Sequence, residues 1–229
     1  MKNIAIIPAR GGSKRLPKKN YDLFFGKPLF LYSYESAIKS KLFDKVVIST
    51  ESSEVRKIMK DNNINDEYIR PDNLANDDSS LIDVCIDVLE FYRTEEFNNM
   101  CMIWATSPII DENDLINSFN QFNESKVDGI VACTEYTHAH DLVVQDDDNL
   151  ISPLINYNKF NELYSNKKIL FDCGAFSWIK VQTFFNERNW VANKAIPYIL
   201  PHYKGVDLDT VEDFELLSFY YKKYVLKEV

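Results

Sequence analysis

Residues 3–20 read NIAIIPARGGSKRLPKKN. Ile4 to Ile7 form an unbroken apolar run, the pattern of a strand buried on both faces of a sheet. Two adjacent glycines follow, together with five Lys or Arg residues between Arg10 and Lys19. In an open α/β sheet, ligands bind beyond the carboxyl ends of the strands, so this loop is the first candidate site. Gly11 and Gly12 can adopt positive φ, which lets successive N–H groups line a concave anion site. Arg10, Lys14, Lys18 and Lys19 can then offer charge to several phosphate oxygens. The alternative is a solvated turn. Neither the P-loop pattern nor GxGxxG occurs, which argues against a P-loop NTPase and a dinucleotide-binding dehydrogenase.

Outward from this loop, short β-rich runs alternate with helix-length segments of 3.6 period. A helix with Phe30, Tyr34, Ala37 and Ile38 on one face precedes KVVIST, and a second helix spans about Ser52 to Asp61. A short extended run at EYI, a helix with Leu81, Val84, Cys85, Val88 and Tyr92 in register, and the strand MCMIWA come next. Asp111 can cap a helix carrying Leu115, Phe119 and Phe122, and DGIVACTE reads as a further buried strand. Strand, helix, strand in repetition predicts an α/β fold: an open, mostly parallel sheet flanked by helices. From 138 to 170 the period fails, so a single domain of residues 1–229 is expected to carry an irregular excursion there. Order returns with KILFDCGAFSWI, a helix near Val181 to Asn186, and YKGVDLDT leading into a helix through Phe214, Leu217 and Tyr221.

The 229 residues are 45% apolar and 14% aromatic, enough for a packed core. Net charge is −9, yet residues 1–60 hold 13 Lys/Arg against 5 Asp/Glu. That local excess suits a small polyanion, and the acidic remainder argues against a nucleic-acid partner. Lys39, Lys41 and Lys57 also read simply as surface lysines on helices. No apolar run is long enough for a membrane span, and a strand begins within two residues of Met1, so a cytoplasmic protein without membrane partner is expected. Cys85, Cys101, Cys133 and Cys173 are scattered singly and read as core thiols. Cys173 as a nucleophile lacks a visible base.

A second constellation is Asp207-Leu208-Asp209-Thr210, between a β-like run and the last helix. Carboxylates at i and i+2 of an extended segment share a face, the spacing that grips one hard cation from one side. Solvated turn residues are the alternative. Magnesium is commonly held by one or two carboxylates plus substrate phosphates, so the pair gains meaning beside a phosphate loop. Thr210 can cap the last helix, with Asp213 at N3. Thr106 and Ser107, in ATSP, end a buried strand at the ligand edge and either bond a sugar or start a turn. Arg70 either reaches a nucleotide or pairs within its Asp-rich loop. His138 and His140 form HxH without a companion ligand set. Trp104, Trp178 and Trp190 read as core.

Taken together, IIPARGGSKRLPKKN, GKPL, VVIST, RPDNLANDDSS, ATSP and VDLDTVEDFE, in this order across nearly the whole chain, resemble the cytidylyltransferases that activate nine-carbon keto-sugar acids. These are CMP-sialic acid synthetase and its pseudaminic and legionaminic acid relatives. The resemblance implies a nucleotide-diphospho-sugar transferase-like fold and a homodimer whose extension reaches into the partner's site. It also implies Mg²⁺-dependent transfer of CMP from CTP to the anomeric hydroxyl, with release of pyrophosphate. Arg10, Gly11, Gly12, Ser13, Lys14, Lys19 and Asn20 fall on the family's CTP loop, Arg70 on its cytosine side, and Ser80 on a serine contact. Asp207 and Asp209 fall on its metal carboxylates. Catalysis would rest on Arg10, Lys14 and Asp209, with the base either Asp209 or hydroxide on the metal.

The sugar side departs from sialic acid relatives. Trp104 and Ile110 replace a Gln and an Arg, and NYNKFNELYSNKKI lacks the expected Arg and Gln. FDCGAFSW resembles the pseudaminic acid enzymes, which brings Asp172 and Gly174 in beside Thr106 and Ser107 as substrate contacts. Two rivals stay open: a glycosyltransferase, because Asp207-Leu208-Asp209 also fits DxD, and an inactive nucleotide-binding subunit.

Overall fold

The computed structural model describes residues 1–228 apart from Lys14, Asp77, Asp78, His138 and Asp146. The chain runs β1 (Asn3–Pro8), β2 (Leu23–Phe24), β3 (Lys27–Pro28), α1 (Leu29–Ser40), β4 (Lys45–Ser49), α2 (Ser53–Asp61) and α3 (Leu81–Phe91). It continues through β5 (Asn99–Ile103), α4 (Glu112–Glu124), β6 (Gly129–Glu135), β7 (Val143–Gln145), β8 (Ile151–Pro153) and α5 (Tyr157–Tyr164). The last elements are β9 (Leu170–Lys180), α6 (Val181–Glu187), β10 (Ala195–Ile199) and α7 (Val211–Tyr220), which runs on as a π-helical turn, Tyr221–Leu226.

Six strands form one sheet in the order β10-β6-β9-β5-β1-β4. β1 pairs in parallel with β4 and β5, as does β10 with β6, whereas β9 runs antiparallel between β5 and β6. The apolar run of β1 is buried on both sides because its side chains alternate. Ala5 and Ile7 join one core with Phe30 and Ala37 of α1 and Leu115 and Phe122 of α4. Ile4 and Ile6 join the opposite core with Cys85 and Val88 of α3 and Met100 and Met102 of β5. The mostly parallel sheet with helices on both faces is therefore as expected.

Several local expectations change. EYI forms no strand, and β10, absent from the sequence reading, adds an edge strand. Ile38 of α1 is exposed instead of joining the buried face. The excursion is not irregular: β7 and β8 pair as an antiparallel hairpin, and α5 follows with an Asn156 cap. None of α5's residues is buried, and both strands of the hairpin are exposed along their length. No described helix is long and apolar enough to cross a membrane. The four cysteines are all buried and free, and Trp178 is fully buried with Nε1 donating to Ser118 Oγ at 3.1 Å. Burial pushes the Cys173 thiol up to about 12, the opposite of an activated nucleophile.

Two hydroxyls on α1 fix the ligand edge of the sheet. Ser33 Oγ donates to the Trp104 carbonyl at 2.7 Å, and Ser36 Oγ to the Ile110 carbonyl at 2.8 Å. The loop leaving β5, which carries Thr106 and Ser107, is thereby clamped to the helix that follows the basic loop.

Candidate active site

The cleft lies beyond the carboxyl ends of β1 and β5 and has a volume of about 280 Å³. Arg10, Arg15, Lys19 and Asn20 line it from the basic loop, and Asp207 and Asp209 from the segment before α7. Arg70, Ser79 and Trp104 complete its polar and aromatic wall, with Thr106 beside them. Segments some 190 residues apart in sequence thus meet across one small volume.

The loop is held by its own side chains. Asn20, nearly buried, donates from Nδ2 to the Arg10 carbonyl at 2.9 Å. Gly11 N–H donates to Glu51 Oε1 at 2.8 Å, so the loop after β4 grips the loop after β1. Arg10 Nη1 donates to the Asn76 carbonyl at 3.2 Å, which joins the basic loop to the Asp-rich one. Positive φ, expected at Gly11 and Gly12, falls instead on Lys18, at 62°. Gly11 is needed for another reason: a Cβ there would lie 2.8 Å from Ser52 Cβ, whereas one at Gly12 would meet open space. Lys18 is exposed, and Lys14 lies outside the described residues.

Arg70 is 98% removed from solvent, with Nε donating to Ser49 Oγ at 3.1 Å and Nη2 to the Ser49 carbonyl at 2.7 Å. Burial holds its guanidinium below the usual arginine range, against the opposing charge of Glu51. It forms a rigid cationic wall, tied to the end of β4. Ser80, predicted as a nucleotide contact, caps α3: its Oγ accepts the Asp83 N–H at 3.1 Å. The neighbouring Ser79 lines the cleft in its stead. Gly11, Gly12 and Ser13 lie in the loop but not in the cleft lining.

The acidic side is set by a capping box. Thr210 Oγ1 accepts the Asp213 N–H at 3.2 Å, and Asp213 Oδ2 accepts the N–H groups of Thr210 and Asp209 at 2.8 and 3.0 Å. Leu208, fully buried, plugs the segment into a smaller apolar cluster beside Phe24 and Leu217. Asp207 and Asp209 flank it and project into the cleft. Lys19 Nζ lies 2.9 Å from Asp209 Oδ1, and Arg15 Nη1 lies 2.5 Å from Asp209 Oδ2. Among the described residues Asp207 has no hydrogen-bond or ion-pair partner. The protein crowded around it, and then the charge of Asp209, push its carboxyl up, although it stays open to the cleft. Two hard oxygen donors, one of them unpaired and both under mutual repulsion, fit a divalent cation. No group of three or more such ligands occurs among the described residues, so substrate oxygens would have to complete the shell.

The expected sugar-side residues lie around this carboxylate pair. Ser107 Oγ donates to the Gly174 carbonyl at 3.2 Å, and Asp172 Oδ1 accepts the Gly174 N–H at 3.1 Å. Gly174 has φ of 58°, and a Cβ there would stand 3.4 Å from Asp207 Oδ1. Ser107, Asp172 and Gly174 all lie outside the cleft lining, and of the four expected sugar-side residues Thr106 alone lines it. His138 lies outside the described residues, so the HxH pair carries no geometry. Arg15 was missed as a site residue: it was visible only as one more charge in the loop. Trp104, read as core, is half-buried and faces the cleft.

Comparison with known proteins agrees with this geometry. A family model described as Cytidylyltransferase matches residues 4–226. The chain is 29% identical to a pseudaminic acid cytidylyltransferase of Campylobacter jejuni over 97% of each sequence. It is 28% identical to an N-acylneuraminate cytidylyltransferase of Escherichia coli, over 94% of this chain and 51% of that one. The solved structure of a CMP:2-keto-3-deoxy-manno-octonic acid synthetase complexed with CTP superposes with a TM-score of 0.72 at 16% identity, covering 98% of this chain and 100% of that one. A mostly parallel sheet that brings a basic loop and a carboxylate pair into one cleft, and a family match over almost its full length, make this chain a member of the cytidylyltransferase family.

Proposed function

We propose that the chain transfers CMP from CTP to the anomeric hydroxyl of a nine-carbon 2-keto sugar acid and releases pyrophosphate. The observation that carries this reading is the meeting of Arg15 and Lys19, from the loop after β1, with Asp209, from the segment before α7. Cations suited to a triphosphate and carboxylates suited to a divalent cation share one cleft, as transfer of a nucleotidyl group requires. The pseudaminic acid relative and the string FDCGAFSW favour a pseudaminic-type acid over sialic acid.

In the reaction the sugar hydroxyl gives up its proton to Asp209 or to hydroxide and attacks the α-phosphorus in line, the bond to the bridging oxygen breaks, and pyrophosphate departs. Charge accumulates on phosphate oxygens, so prepositioned cations supply most of the stabilisation. Arg10, Lys14, Arg15 and Lys19 serve the triphosphate, and Arg70 the cytosine side. Asp207 and Asp209 would hold Mg²⁺, which when bound neutralises phosphate oxygens and acidifies a nearby hydroxyl. Thr106 and Ser107 orient the sugar, with Asp172 and Gly174 supporting them. Two copies associate through the exposed arm of β7, β8 and α5.

A pyrophosphate-release assay with CTP and Mg²⁺ across pseudaminic, legionaminic and sialic acids, and the eight-carbon analogue, tests the reading. Release with a nine-carbon acid is expected, fastest with pseudaminic acid. Asp209→Ala and Lys14→Ala should each lower turnover by about 100-fold or more. Consumption of a CMP-sugar in place of CTP would favour the glycosyltransferase. CTP binding without pyrophosphate release from any acid would favour an inactive subunit.

A further inference from the structure

The two loop cations hold Asp209 in different ways. Lys19 Nζ bonds Asp209 Oδ1 at 2.9 Å and also the Leu208 carbonyl at 3.0 Å, and its side chain is 21% exposed. It is anchored to backbone as well as to charge. Arg15 holds only Asp209 Oδ2 among the described residues, with its side chain 70% exposed. Both oxygens of Asp209 are therefore in use, while Asp207 beside it is unpaired among the described residues. A hard cation that draws on both carboxylates of this pair competes with the loop cations for Asp209. Arg15 is the one able to leave, because an exposed ion pair is weakly held. A guanidinium also matches phosphate oxygens two at a time, so a triphosphate competes well for it.

We propose that Arg15 is an internal counter-ion of Asp209 that couples nucleotide binding to divalent-cation binding. The proposal rests on the reading of the cleft as a CTP site. Triphosphate oxygens draw Arg15 off Asp209 Oδ2, and the freed oxygen joins Asp207 in accepting the cation. Lys19 remains on Oδ1 and on the Leu208 carbonyl, and so keeps Asp209 in position. Without the triphosphate, Arg15 competes with the cation for that carboxylate. Arg15 is in this sense a positioning residue, and the coupling is reciprocal by linkage.

The test measures each ligand alone on the whole chain, so that chelation of the cation by free CTP does not enter. Binding of Mn²⁺ to the protein without nucleotide is followed by electron paramagnetic resonance. Binding of CTP in EDTA is followed by calorimetry, and circular dichroism melts check that each variant is folded. Arg15→Met should bind Mn²⁺ about tenfold more tightly than wild type, and CTP about tenfold more weakly. Arg15→Lys, which keeps a charge but not the guanidinium fork, should fall between. Asp209→Asn should lose most Mn²⁺ binding yet bind CTP in EDTA a few-fold (about three) more tightly, since the triphosphate no longer competes for Arg15. A merely structural role for Arg15 or Asp209 predicts weakening throughout. Unchanged Mn²⁺ affinity in Arg15→Met, with wild-type CTP binding intact, would overturn the counter-ion role and leave the cytidylyltransferase reading standing. A wild-type chain that binds no CTP overturns both.

Discussion

A single methyl group at position 11 has nowhere to go. The Cβ of an alanine would stand 2.8 Å from Ser52 Cβ and 3.0 Å from its Oγ, and Ser52 is fixed as the cap of α2. Relief has to come from the loop, which would also loosen the Gly11 N–H bond to Glu51. Gly11→Ala should therefore cost about 1–3 kcal/mol of stability, as overpacked sites do, and weaken CTP binding together with it. Gly12→Ala, facing open space, should be close to neutral. Urea unfolding of both variants, with CTP titration, checks the contrast; equal losses at the two positions would contradict it. At this scale, the charged residues that meet in the cleft stood out in the sequence by type, as a basic loop and a carboxylate pair. Which loop side chain turns inward was not: Arg15 over Lys18, and Ser79 over Ser80, follow from the backbone path, to which composition is blind.

Among the elements, the turn at residues 202–204 holds the carboxylate segment from behind. Lys204 Nζ lies 2.6 Å from Asp114 Oδ2 and 3.0 Å from Asp111 Oδ2, at the capping box of α4. The Lys204 and Asp114 side chains are only 12% and 11% exposed. Burial works against the charged amine, but the two carboxylates outweigh it and raise the Lys204 pKa. Burial also leaves Asp114 above the usual carboxylate range in spite of its partner. Lys204→Met should thus cost about 3 kcal/mol by stranding Asp114, and loosen the approach to Asp207. Because the folded pKa of Lys204 is raised, its contribution is complete below about pH 10.4, the ordinary lysine value, and fades as pH rises through the folded one. Chemical denaturation of wild type and variant at pH 7 and pH 11 tests both parts: the gap between them should narrow at the higher pH.

Helices and central strands were legible because one-sided or two-sided burial writes a period into the residues, as in Leu81, Val84, Cys85 and Val88 of α3. β10 was not, since it is an edge strand, partly exposed, with Pro197 in its middle. Nor was the direction of β9, because a strand's own side-chain pattern is the same either way.

For the whole molecule, the arm is the surface on which the proposed pairing of two copies is tested. β7, β8 and α5 expose Val143, Val144, Ile151 and Leu163, apolar side chains that a second copy could cover. If two copies pair there, Val144→Asp combined with Ile151→Asp should convert a species of twice the chain mass into one of single mass by light scattering. A wild type already at single mass would remove the arm from that role. The arm read as irregular in the sequence because its elements are short and bury no residue fully within the chain, so no core imposes a period on them.

The reversed strand at the centre of the sheet has a geometric outcome. Since β9 alone runs backwards, its first residue pairs with the last of β6, Leu170 opposite Glu135, and the arm between them springs from the same rim as the cleft. Met1, just before the start of β1, sits at the opposite rim. The molecule is polar in the plain sense of having a working end and a handling end. A tether, tag or fluorophore attached at Met1 should leave CTP turnover untouched, whereas the same label in the arm would stand at the rim of the cleft.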